Sequence, residues 1–445
     1  MMHPWFEKAK LGIFIHWGIC TVDGNGISWP MARAMVSCDE YYAQRHNFTA
    51  DQYDPAQWAK LIKATGANYA VLTTKHHDGF AIFDTKFTDN NTVKSTPCGR
   101  DLVEPYCQAL RDEGIKVGLY FSNTDWADDD HLRTVLDMSQ EELDAMRKVP
   151  TNFEKLYKET GKRELGQKKE EYEACWKRFM TRYKGEIAEL VTRHQPDVLW
   201  FDVMWRRNGL SWETPDVKEM IERLSPNTIV NGRLGDCGDY ECPENYIPLS
   251  PLGTPWELCE SFNKSWAYRK PFIDTYKNMR QVIRMLCECI SKGGNLLINI
   301  TPDDHGIIPE ETAKRMKELG KWTSKYAEAI YPTCAGLDPA YFLGGSTLSE
   351  DKKTLYLFAY DCGSGQVMLN GIHNKVKRVT SLVNGMELSH KVLGGAWWIN
   401  IPGSIWIDVP EESVDELCTV IKVEFDEPIN LLPLNDKTKS VGEGI

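Results

Sequence analysis

No uninterrupted apolar run of about 18 residues occurs in this sequence, so no segment is expected to cross a membrane as a helix. The opening residues, Met1-Met2-His3-Pro4-Trp5-Phe6-Glu7, lack the apolar core of a secretory signal, which makes a cytoplasmic location the expectation. Positive charge is also short. Against 64 Asp and Glu stand 52 Lys and Arg, a formal charge of −12, so a nucleic-acid partner is not expected. The G-x-G-x-x-G fingerprint of a dinucleotide-binding fold does not follow the first strand-like run. Internal repeats and low-complexity tracts are missing as well. The 13 cysteines are odd in number and scattered. Cys287 and Cys289 lie close, as do Cys237 and Cys242, but no second pair with histidine at metal-ligand spacing completes a zinc site. Reduced, buried thiols are the expectation.

What is present is a rhythm. With 445 residues the chain is long enough for two or three domains. Short β-rich runs, each leading to a polar or aromatic tip, recur at 12–17, 69–77, 116–122, 198–202, 228–233, 256–261 and 295–301. Amphipathic helical patterns separate them, as at 55–65, 100–113 and 276–292. Strand and helix in alternation imply a parallel sheet with crossover helices, and seven or so units fit a closed (β/α)-barrel over residues 1–335. Residues 127–190 interrupt the rhythm with a charged helical excursion, where acid and base recur at i, i+4 (Asp144 with Lys148, Glu154 with Lys158, Glu173 with Lys177). Beyond Tyr331-Pro332 the texture changes to short strands at 354–360, 366–369, 376–383, 396–401 and 419–425, with Gly- and Asn-containing turns between them. That spacing predicts an antiparallel β-sandwich over 336–430, followed by a polar tail over 431–445.

In a barrel, chemistry belongs at the C-terminal tips of the strands. Here those tips carry His16, His76 and His77, Tyr120, Trp200 and Asp202, Arg233 and Glu257. Asp202 ends the apolar run Val198-Leu199-Trp200-Phe201, where an ionised carboxylate inside the sheet would be costly and one at the lip would face a pocket. An Asp and a Glu on one face are the minimum kit for glycoside hydrolysis. Aromatic rings can stack on the apolar face of a sugar while His and Arg bond its hydroxyls.

Leu11-Gly12-Ile13-Phe14-Ile15-His16-Trp17-Gly18 and Thr74-Lys75-His76-His77-Asp78-Gly79-Phe80 resemble the α-L-fucosidases of glycoside hydrolase family 29. The resemblance continues in order through Leu199-Trp200-Phe201-Asp202, Asn231-Gly232-Arg233, Trp256-Glu257-Leu258-Cys259 and Gly293-Gly294-Asn295-Leu296-Leu297-Ile298-Asn299-Ile300. It implies an exo-acting, retaining enzyme that removes terminal α-L-fucosyl residues from fucosylated glycans, with Asp202 as the nucleophile. His16, His76, His77, Trp200 and Arg233 match positions that bind the sugar or flank the nucleophile. Tyr120, or Phe121, lies where an aromatic stands near the sugar, and Trp266 matches one facing the C5 methyl group. Glu257 resembles the acid/base, with Glu260 as its rival. If 256–261 is a strand, the two point to opposite faces. Trp29 is matched too, but Ser28 stands where many relatives carry a glutamate. Two side-chain carboxylates and water suffice for this chemistry, so no metal or organic cofactor is expected. Other readings of the same residues are a fucose-binding protein without turnover and a same-fold glycosidase for a related sugar. Nothing in the sequence specifies an oligomeric state.

Overall fold

A computed structural model describes residues 4–33, 35–135, 169–204, 211–269, 275–361 and 365–434. Its contacts divide the chain into two units. The first comprises Met1–Tyr246, Thr254–Lys277 and Leu297–Gly320; the second comprises Ile247–Gly253, Asn278–Leu296 and Lys321–Ile445.

The first unit is built on a seven-stranded sheet of β1 (Leu11–Ile15), β2 (Tyr69–Lys75), β3 (Lys116–Ser122), β4 (Val198–Asp202), β5 (Ile229–Val230), β6 (Glu257–Ser261) and β7 (Asn295–Ile300), in the order β5-β4-β3-β2-β1-β7-β6. The pairs from β1 through β5 run parallel. Every residue of β1, β2, β4 and β7 is buried, as expected where both faces of a sheet are covered. Residues 240–244 join the two edges. Tyr240 bridges Asn231 beyond β5, while Glu241 and Glu244 bridge Trp256 and Cys259 on the β6 side, all in parallel sense. The (β/α)-barrel is therefore closed at its eighth position by single bridges instead of a continuous ladder.

The covering helices follow local signals. Pro55–Ala64 starts on Asp54, whose side chain accepts from the Gln57 N–H at 3.0 Å, with proline in its first turn; it buries Trp58, Ala59 and Ile62. In the predicted excursion, Asp129–Val135 and the 26-residue helix Lys169–His194 are helical, and Asp144, Lys148, Glu154 and Lys158 lie outside the described residues.

The barrel interior is aromatic. Phe14, Tyr69, Tyr120, Trp200 and Tyr240 pack with Val71, Val198 and Leu297. Gly12 makes room for this packing, since a Cβ there would lie 2.4 Å from the Tyr69 ring. No side chain larger than hydrogen fits.

The second unit holds two antiparallel sheets. One is ordered β12-β15-β10-β9-β8, from Val376–Ser381, Thr419–Phe425, Thr354–Ala359, Gly345–Ser349 and Thr333–Ala335. The other is β11-β14-β13, from Gly365–Leu369, Ser404–Val409 and His390–Leu393. Leu355, Leu357, Ile421 and Val423 of the first pack with Val367, Leu369, Ile405 and Ile407 of the second. One predicted strand is corrected. Residues 396–401 form a hairpin tip with a 3₁₀ turn, flanked by Gly394 and Gly395 at φ 73° and 94°. Its Trp397 is 87% exposed, so the aromatic run that resembled a buried strand faces solvent. Among the described residues the cysteines form no disulfide, and no helix is long and apolar enough to cross a membrane.

Candidate active site

The C-terminal ends of the barrel strands surround a cleft of about 100 Å³. His16, Trp29, His76, His77, Tyr120, Trp200, Asp202, Arg233 and Trp266 all line it, together with Phe14, Ile27, Val203, Glu244 and Cys259. The strand register explains the assembly. Asp202 is the last residue of β4 and lies opposite Ser122, the last residue of β3, while Tyr120 pairs with Trp200 two positions deeper. Residues two apart share a face, so Trp200 and Asp202 both point inward.

Asp202 is held on several sides. Arg233 Nη1 donates to Oδ1 at 2.5 Å, and the Tyr120 hydroxyl donates to Oδ2 at 2.8 Å. Its own loop adds the Val203 N–H at 2.9 Å. Burial alone would raise the Asp202 pKa; Arg233, His77 and the hydrogen bonds outweigh it and hold the carboxyl below its ordinary value. Asp202 is thus a buried anion that lines the cleft. Arg233 also lies 4.7 Å over the Trp200 ring, and its Nη2 donates to Glu244 Oε2 at 2.8 Å. One guanidinium therefore grips two carboxylates on the cleft wall.

The three histidines are neutral near pH 7. Burial lowers His16 and His77 to about 4, against the opposing pull of Asp202, and lowers His76 as well. His16 Nδ1 meets Asn299 Oδ1 at 2.8 Å, His76 Nδ1 meets Ser28 Oγ at 2.6 Å, and His77 Nδ1 meets Ser122 Oγ at 2.7 Å. Trp266 stands 5.2 Å from the His16 ring and provides an apolar wall. Trp29 meets His77 edge to face at 5.7 Å. A ring nitrogen each of His76 and His77 and an oxygen of Asp202 lie within 4.8 Å of one another, close enough to hold one ion. Arg233 already supplies the positive charge at Asp202, which disfavours a second cation in the same place.

Glu257, expected as the acid/base, does not line the cleft. It is the first residue of β6, and the lip is at Ser261, roughly 13 Å further along the strand. It lies fully buried in the barrel interior, accepting from Tyr69 Oη at 2.7 Å, Trp200 Nε1 at 2.6 Å and Tyr240 Oη at 3.1 Å. Burial raises its pKa, and those hydrogen bonds only partly offset the rise. The rival Glu260 points elsewhere too. Its Oε1 accepts from Lys277 Nζ at 3.1 Å and from the Ser261 N–H at 2.8 Å, and it does not line the cleft. The carboxyl that does share the cleft with Asp202 is Glu244, which sequence analysis missed. It sits on the closing segment Cys242-Pro243-Glu244-Asn245, whose single bridges leave no strand periodicity to read. Phe14 and Ile27, also missed, are apolar neighbours of recognised motifs.

A buried anionic carboxylate, a second carboxyl across one arginine, and walls of His and Trp at the strand tips of a parallel barrel define a glycoside hydrolase. The sequence profile of the α-L-fucosidase family matches residues 1–328, and the chain belongs to that family. It is 30% identical over 447 residues to an α-L-fucosidase of Branchiostoma floridae, covering 93% of this chain and 90% of that one. To the tissue α-L-fucosidase of Homo sapiens it is 31% identical over 355 residues, covering 74% and 68%. The structure of α-L-fucosidase isoenzyme 1 from Paenibacillus thiaminolyticus superposes with a TM-score of 0.80 at 31% identity, covering 95% of this chain and 98% of that one.

Proposed function

We propose that this enzyme is an exo-acting, retaining α-L-fucosidase that releases terminal α-L-fucosyl residues from fucosylated glycans by double displacement. The observation that carries the reading is the grip of Arg233 on Asp202 and Glu244 together at the rim of a small cleft. Two carboxylates held by neighbouring nitrogens of one planar group suit the spacing of about 5–5.5 Å that covalent displacement uses, and leave little room for the interposed water of an inverting enzyme. A cleft of about 100 Å³ suits a single terminal sugar. Trp266 offers a 6-deoxy sugar an apolar wall, and the histidines offer its hydroxyls polar partners.

In the first step Asp202 attacks the anomeric carbon while Glu244 donates its proton to the departing glycosidic oxygen. Arg233 and Tyr120 orient the attacking carboxylate. In the second step Glu244, now ionised, takes a proton from water as that water displaces Asp202, so the product keeps the starting anomeric configuration. Hydrolysis of an aryl α-L-fucoside followed by proton NMR tests this. The α anomer of free fucose is expected first, and initial release of the β anomer would refute double displacement.

A further inference from the structure

Ser28 occupies a place that its neighbours in sequence do not share. Ile27 and Trp29 line the cleft, yet Ser28 turns away from it and is fully buried. Its backbone has φ 53° and ψ −52°, and the Trp29 N–H donates to the Ile27 carbonyl at 2.5 Å across it. That is a γ-turn of the rare positive-φ kind, strained for any residue with a Cβ. Strain of this sort persists only where surrounding contacts hold it. Here the Ser28 N–H donates to Tyr41 Oη at 2.9 Å, and Tyr41 in turn donates to Asp78 Oδ2 at 2.5 Å.

The hydroxyl of Ser28 has two partners among the described residues. It accepts the Asp78 N–H at 3.0 Å, and it lies 2.6 Å from His76 Nδ1. An amide can only donate, so the one hydroxyl hydrogen has His76 Nδ1 as its acceptor; otherwise it would be left unmade in a dry site. Nδ1 of His76 is then the bare nitrogen, and Nε2 carries the hydrogen. His77 is set the other way. Ser122 Oγ donates to the Thr124 carbonyl at 2.7 Å, so at 2.7 Å from His77 Nδ1 it can only accept, and Nδ1 carries the hydrogen. His16 follows His77. Asn299 Nδ2 donates to the Trp266 carbonyl at 2.9 Å, which turns its Oδ1 toward His16 Nδ1 as an acceptor.

We infer that Ser28 is a positioning residue that fixes His76 as a hydrogen-bond donor toward the cleft, beside His77 as an acceptor, so that the pair together selects a free sugar hydroxyl. The two rings are neighbours, with centroids 4.0 Å apart. A hydroxyl can accept from His76 Nε2 and donate to His77 Nε2 at once. An ether oxygen satisfies only the first and a C–H neither, so a sugar substituted at that oxygen leaves a buried partner unpaired. The selection of a hydroxyl rests on the proposed fucosidase function, whereas the tautomers belong to the protein alone.

Two variants separate the hydroxyl from the turn. Ser28→Gly removes the hydroxyl and relieves the backbone, because glycine adopts positive φ freely; Ser28→Ala removes the hydroxyl and keeps the strain. Imidazole ¹⁵N NMR of the substrate-free enzyme, with His76 assigned by its absence in His76→Gln, reads the tautomers. The expected result is a bare Nδ1 on His76 and a protonated Nδ1 on His16 and His77, with His76 alone losing its preference in Ser28→Gly. On 4-nitrophenyl α-L-fucoside, Ser28→Gly should lose about tenfold in kcat/KM, mostly through KM. A protonated Nδ1 on His76 in the parent, or a Ser28→Gly enzyme with unchanged tautomers and unchanged KM, would overturn the inference. The NMR result stands by itself even if the chain hydrolyses no fucoside.

Discussion

The indole Nε1–H of Trp200 donates to Glu257 Oε1 at 2.6 Å, so one side chain is the floor of the cleft and the roof over a buried carboxyl. Two acids that look equivalent in sequence thus stand on opposite sides of a tryptophan. Asp202 above it is ionised and reachable, whereas Glu257 below it belongs to the packing of the barrel.

Glu257→Ala should therefore be a stability variant. It leaves the donors of Tyr69, Trp200 and Tyr240 unpaired in the interior, at a cost of about 3–5 kcal/mol. Chemical denaturation measures the loss. Azide should restore nothing, and clear azide rescue in a stably folded Glu257→Ala enzyme would return the acid/base role to that residue.

Glu244→Ala is expected to behave in the opposite way. The fold should survive, because the side chain is partly exposed and its one strong partner is Arg233. Turnover should fall by about a hundredfold or more for substrates with poor leaving groups, and less for an aryl fucoside. Azide should raise the rate on the aryl fucoside and yield a fucosyl azide of α configuration, formed when azide displaces Asp202 from the β-linked fucosyl-enzyme.

Asp202→Gly should reduce hydrolysis of 4-nitrophenyl α-L-fucoside by at least about a thousandfold. Fucose should still bind, as read by calorimetry, because His16, His77 and Trp266 remain in place. An Asp202→Gly enzyme with near-parental turnover would remove the nucleophile from the proposed mechanism.

Arg233→Lys keeps one positive charge but cannot fork between Asp202 and Glu244. A loss of about a hundredfold in kcat/KM is expected. With its strongest counter-charge weakened, the buried Asp202 should also take up a proton more readily, moving the acid limb of the kcat/KM profile to higher pH. An unshifted acid limb would show that Arg233 does not govern Asp202.

Acid should loosen the protein through the same site. Burial depresses His16 and His77 from 6.5 to about 4, so the unfolded chain binds protons that the folded chain refuses. Their contribution to stability is complete above pH 6.5 and is lost as pH falls toward 4, at roughly 2 kcal/mol each by pH 5. Urea denaturation at pH 7.5 and pH 5 measures this. The double variant His16→Asn, His77→Asn should have a shallower dependence on pH than its parent.

The parts of the site legible in sequence are those that a strand delivers. H-W-G after β1, K-H-H-D-G-F after β2 and W-F-D at the end of β4 are polar or aromatic tips on apolar runs, and their register brings them to one lip. Glu257 also lies in an apolar run, but its depth decides its role. The three donors that receive it come from β2, β4 and the closing segment, and local sequence does not announce them. Ser28 was visible only as a departure from its relatives, since its purpose depends on a turn geometry and on a histidine 48 residues away.

The barrel's closing segment has one more consequence. Asp202 rides on a strand with ladder neighbours on both sides, whereas Glu244 rides on a seam tacked down by isolated bridges. Insertions or deletions between Leu234 and Trp256 can therefore re-aim the Glu244 carboxyl, the acid of the proposed mechanism, while the strand-borne half of the cleft keeps its shape. In an enzyme assembled this way, preference for what the fucose is attached to can diversify separately from preference for fucose itself.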